Sequence, residues 1–84
     1  MFDIKYSKQA IKFLKSLDKK LVSRILIKIE KLREEPFQHD SKRVEGYNEK
    51  LFRIRVVDFR ILYEVDHKGN LIGIIKIDKR SRVY

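Results

Sequence analysis

Apolar and polar positions change rhythm twice along this chain of 84 residues. Residues 2–6, "FDIKY", alternate as a short strand does. From Ser7 the period lengthens. Ala10, Phe13, Leu14 and Leu17 fall on one helical face, with Ser7 suited to cap the helix start. Asp18 is suited to cap a second helix, whose stripe is Leu21, Ile25, Ile29 and Leu32, flanked by Val22 and Leu26. Pro36, after Glu34 and Glu35, is the predicted stop, because proline lacks the N–H a helix needs. With so short a link, the two helices should form a hairpin.

Beyond Pro36 the period returns to two. "PFQHD" reads as loop, and "SKRVEG" as a short strand ending at Gly46. "EKLFRIRVV" and "FRILYEVD" are alternating strands with Asp58 near the turn between them. "HKGN" is a turn in which Gly69 and Asn70 can take positive φ. "LIGIIKID" is a further strand, and "KRSRVY" a tail. The expectation is one α+β domain over residues 1–84: an N-terminal strand, a helical hairpin, then an antiparallel sheet with one face covered by the helices (β-α-α-β-β-β-β). The other face of such a sheet meets solvent.

Alternation also sorts the side chains of the central strands. Phe52, Ile54 and Val56 point one way, as do Phe59, Ile61, Tyr63 and Val65. Matching these apolar faces gathers Arg53, Arg55 and Arg60 on the open side. Like charges on neighbouring strands repel. Such a cluster is a candidate anion site, although an ordinary wet face is the competing account.

Charge sharpens this picture. The formal net charge is +9 and the pI about 9.9, which favours an anionic partner. Lys dominates residues 1–46, whereas residues 47–84 hold Arg53, Arg55, Arg60, Arg80 and Arg82. Arginine is the better fork for phosphate. With no cysteine, disulfides and thiolate metal sites are excluded. No signal-peptide pattern opens the chain, and "LIGIIKI" is too short to span a bilayer, so a cytoplasmic protein without membrane contact is expected.

The stretch "KRVEGYNEKLFRIRVVDFRILYEV", followed by "IIKIDKRSRVY", resembles the RelE branch of the RelE/ParE toxin superfamily, and the helical hairpin before it fits too. The resemblance covers essentially the whole chain. It implies the toxin of a type II toxin–antitoxin system. Toxins of the RelE branch are ribosome-dependent, metal-independent endoribonucleases that cut mRNA in the ribosomal A site and so inhibit translation. The implied partners are a cognate RelB-like antitoxin, in a toxin–antitoxin hetero-oligomer, and the ribosome with bound mRNA; no cofactor is implied. Carried over by position, the catalytic set is Arg53, Arg55, Arg60, Arg80 and Tyr84, with Lys79, Arg82 and Arg43 as RNA-binding residues.

Well-known members of the branch carry lysines where this chain has Arg53 and Arg55. Attack by a 2′-hydroxyl needs a base, charge stabilisation on phosphorus and a proton for the leaving 5′-oxygen. Arginine cannot be the base. The three strand arginines are therefore cast as phosphate clamps, Arg80 as electrostatic help for the leaving group, and Tyr84 as a stacking ring or proton acceptor. His39 and His67 read as solvated turn residues, and Asp58 as a turn residue. Glu64 shares the open face with Arg60 and reads as its cross-strand ion-pair partner. A ParE-like inhibitor of DNA gyrase and a catalytically inactive RNA- or antitoxin-binding domain share the fold and stay open at this point.

Overall fold

The computed structural model describes residues 1–38, 41–44 and 51–79. His39, Gly46, Tyr47, Arg80, Arg82 and Tyr84 lie outside the described residues.

Both helices start where side-chain oxygens can take an orphan N–H. Ser7 Oγ accepts from Ala10 N (3.1 Å) ahead of α1 (Lys8–Lys15). Asp18 Oδ1 accepts from Leu21 N (2.9 Å) ahead of α2 (Lys19–Lys31). α2 ends short of the proline. Leu32 N bonds Ile29 O and Arg33 N bonds Glu30 O, so its last turn tightens well before Pro36. Arg33 then pins this end to the first strand, donating through Nε to Glu30 (2.7 Å) and through Nη1 to the Phe2 carbonyl (3.2 Å). The Glu30 hydrogen bond holds the Arg33 pKa above its ordinary value.

The strands are β1 (Asp3–Tyr6), β2 (Lys42–Arg43), β3 (Leu51–Val56), β4 (Phe59–Asp66) and β5 (Leu71–Lys79). They form one sheet in the order β1-β5-β4-β3-β2. Strands β2 to β5 run antiparallel to their neighbours, as the pattern predicts, while β1 joins parallel to β5. The β1 pairing spans nearly the whole chain, so local pattern does not reveal it.

Ala10, Ile25, Ile29 and Leu32 of the helical layer pack on Ile54, Phe59, Ile61, Tyr63, Val65, Ile72, Ile74 and Ile77. This single-sided core leaves the other sheet face to side chains that are mostly polar, with Leu62 among them. Tyr63 is fully buried, and its hydroxyl donates to the Pro36 carbonyl (2.7 Å) and lies 2.8 Å from Ser41 Oγ. A buried phenol needs such a partner. In the β4–β5 turn Asn70 takes positive φ (54°). At Gly69, whose N–H donates to Asp66 Oδ1 (3.0 Å), a Cβ would sit 2.7 Å from Asp66 Oδ2, a side-chain tip that can swing aside.

One irregularity decides what the open face carries. In β5, strict alternation from Ile72 and Ile74 would aim Lys76 and Asp78 at the helices. A register shift opposite Leu62/Tyr63 leaves Ile75 as an extra residue, so Ile77 turns inward and Lys76 and Asp78 turn outward. The bulge thereby keeps two charges out of the core.

Candidate functional site

Register sets the order of side chains on the open face. Arg55 pairs with Arg60, and Arg60 with Asp78, which makes one row across β3, β4 and β5. The next row runs Lys42, Arg53, Leu62, Lys76. A third places Leu51 against Glu64 and Glu64 against Gly73. Arg53 and Arg55 are exposed, whereas Arg60 is partly covered. The sequence-predicted arginines therefore do share a face and adjoin.

Their immediate partner differs from the one expected. Arg60 does not pair with Glu64. Its Nε donates to Asp78 Oδ1 (3.3 Å) and its Nη2 to Asp78 Oδ2 (3.1 Å). Asp78 lies directly opposite Arg60 once the bulge has reset β5, whereas Glu64 stands opposite Leu51 and Gly73. Lys76 Nζ also approaches Asp78 Oδ2, at 3.7 Å. The signal that could have located Asp78 is the spacing Ile72, Ile74, Ile77, two residues and then three, which marks a phase change in the strand.

Two further residues stand away from the arginines. Arg43 is exposed and pairs with Phe52, whose side chain belongs to the helix-covered face, so Lys42 rather than Arg43 stands beside Arg53. Lys79 ends β5 opposite the core residue Phe59, again on the helix side. Asp58 sits in the β3–β4 turn. His67 lies in the exposed β4–β5 turn, with its ring edge-on to Phe2 (centroids 5.8 Å apart) and tilted against Phe37 (5.9 Å).

Cations gather on this open face. Lys42 on β2, Arg53 and Arg55 on β3 and Lys76 on β5 are exposed cations, and an arginine fork suits phosphate through paired N–H groups. Among the described residues, no three His, Cys, Asp or Glu side chains converge as metal ligands would. A groove of about 700 Å³ on the helical hairpin has an apolar floor that includes Leu14, Leu17 and Leu26, with Lys15, Lys19 and Lys31 also in its lining. No helix among the described residues is long and apolar enough to cross a membrane.

The family model described as the ParE toxin of the type II toxin–antitoxin system parDE matches residues 4–84. The chain belongs to this toxin family. Within the RelE/ParE superfamily it is a RelE-type toxin. It is 34% identical to a chain of the archaeal RelE–RelB complex from Pyrococcus horikoshii OT3, with 98% of each chain covered and a TM-score of 0.84. It is 28% identical to a chain of the RelB–RelE antitoxin–toxin complex from Methanococcus jannaschii, covering 89% of this chain and 88% of that one at a TM-score of 0.71. The intact RelBE toxin–antitoxin complex of E. coli matches at 18% identity and a TM-score of 0.84, over 98% of this chain and 100% of the other, which speaks for the fold. No curated protein matches the chain.

Proposed function

We propose that this toxin is a ribosome-dependent, metal-independent endoribonuclease that cleaves mRNA in the ribosomal A site and so arrests translation. The observation that carries the proposal is the register of β3 and β4, which brings Arg53, Arg55 and Arg60 onto one open face. The 34% identity to a chain of the archaeal RelE–RelB complex supports the RelE chemistry.

In this reading the arginines clamp the phosphates flanking the scissile bond and stabilise the dianionic phosphorane. Arg80 aids the departing 5′-oxygen electrostatically, and Tyr84 either stacks on a base or, as the phenolate that surrounding positive charge would favour, accepts the proton of the attacking 2′-hydroxyl; both roles come from the family resemblance. The ribosome supplies substrate orientation. A RelB-like antitoxin holds the toxin inactive in a hetero-oligomer, as the matched complexes of P. horikoshii, M. jannaschii and E. coli pair RelE with RelB. An acidic antitoxin segment would find its complement in the arginine face.

The matching family model is that of ParE, which gives the gyrase reading a footing of its own. One pair of assays separates the two. The purified protein is added to translating ribosomes, with mRNA cleavage read by primer extension, and in parallel to DNA gyrase, with supercoiling as the readout. Codon-phased cleavage with intact supercoiling is the expected result. Inhibited supercoiling with intact message supports the gyrase reading and overturns ours.

A further inference from the structure

Among the described residues the arginine face carries the carboxylates Glu64 and Asp78, and of these Asp78 is the one that grips an arginine. Asp78 sits in the row Arg55–Arg60–Asp78, on the same face as the proposed phosphate clamps, and the β5 bulge is what brings it there. Resting on the ribonuclease reading above, we propose that Asp78 is a positioning residue: it turns the Arg60 guanidinium side-on and draws it away from Arg55, so fixing the orientation in which the pair meets the RNA backbone.

Arg55 and Arg60 are directly opposed on neighbouring strands, an arrangement in which like charges repel. Asp78 flanks Arg60 on its other side and grips it through two separate N–H groups, Nε–H and one on Nη2. Such a two-point contact fixes the plane of the guanidinium as well as its position. The grip is partly shielded, since the Arg60 and Asp78 side chains keep 34% and 23% of their exposure. It also uses the Nε edge of the fork and not the terminal Nη1–Nη2 edge. The carboxylate lowers the positive charge of the face, so it weakens attraction to RNA while improving the geometry of one clamp. Binding and chemistry should therefore move in opposite directions when it is removed.

The Asp78→Asn substitution keeps the shape and removes the charge. Measured on ribosomes programmed with mRNA, it should tighten binding about two- to fivefold, with a steeper loss of affinity as salt rises. The single-turnover cleavage rate at saturation should nevertheless fall about tenfold to a hundredfold. In an Arg60→Ala background Asp78→Asn should slow cleavage no further, and Asp78→Glu, which restores the charge, should recover much of the rate. A purely structural role would lower rate, affinity and melting temperature together. That pattern, an unchanged rate, or a rate loss that persists without Arg60 each overturns the proposal.

Absence of cleavage by the parent protein would sink the ribonuclease reading but not this arm of the test. The Arg60 Nε–H resonance can be followed by NMR while a single-stranded oligonucleotide with non-cleavable 2′-deoxy linkages is titrated in. In the parent protein it should move to one bound position, and in Asp78→Asn it should stay exchange-averaged. Identical titrations in the two proteins overturn the proposal.

Discussion

Val57 turns the chain from β3 into β4 with φ at 56°, a conformation that a β-branched residue adopts only under strain. The two-residue turn with Asp58 holds it there because the hairpin on either side pairs every residue from Leu51–Glu64 to Val56–Phe59. Asparagine tolerates positive φ, and Val57 is 45% exposed, so its side chain gives up little packing. Val57→Asn should raise stability by about 1 kcal/mol. A shift of the urea midpoint at constant slope would register it. The same turn shows how far residue-scale reading reaches. Asp58 is recognisable as a turn former, but the flanking run "VV" carries no sign that a valine takes the left-handed position. Propensity gives way here to the register that Ile54, Ile61 and the rest of the core impose.

At the scale of elements, the end of β5 depends on α1. β1 stops at Tyr6, paired with Ile74, and side chains take over from the strand. Ser7 Oγ donates to the Ile75 carbonyl (2.6 Å). The Gln9 amide then meets Ile77 at both backbone groups: Nε2 donates to Ile77 O (3.0 Å), and Ile77 N donates to Gln9 Oε1 (3.0 Å). Gln9 thus acts as one residue of a missing strand, and holds the segment from which Lys76 and Asp78 project. Gln9→Ala should cost about 1–3 kcal/mol, because it strands a donor and an acceptor. Faster amide exchange at Ile77 would locate the damage. Such clamps escape sequence reading, since Gln9 reads only as a polar position of an amphipathic helix. The helices themselves, their Ser7 and Asp18 caps, the β3 and β4 faces and the arginine cluster were all legible, because each rests on local periodicity. The parallel seating of β1, the Ile75 bulge, and hence Asp78 as partner to Arg60, depend on pairings between distant residues. A strand as short as Lys42–Arg43 offers too few positions for alternation to say which of its two cations joins the site.

For the molecule as a whole, charge dominates. The chain carries a net +9; lysines line both helices and Arg53 and Arg55 stand exposed on the open sheet face, so solvent meets cations on either side. Tyr6 lies where β1, Glu30 and Arg33 come together, and burial, with Glu30 adding to it and Arg33 opposing, raises its pKa. A raised folded pKa means the stability gained is complete below the unfolded value, near pH 10, and is lost as pH climbs from there through the folded value. The unfolding free energy should therefore fall with pH above about pH 10, and Tyr6→Phe should fall less steeply over that range. Parallel slopes for the two proteins would contradict the assignment.

The central claim is that the open sheet face grips the message at the scissile phosphate. The most direct measurement is single-turnover cleavage of ribosome-bound mRNA by the Arg53→Ala, Arg55→Ala, Arg60→Ala triple variant, beside its melting temperature and its salt-dependent affinity for the ribosome. These side chains lie outside the core cluster, so the fold should survive. The account predicts a cleavage rate lower by at least about a hundredfold, a shallower salt dependence and a nearly unchanged melting temperature. A variant that remains folded and cuts the message at the parent's rate would contradict it.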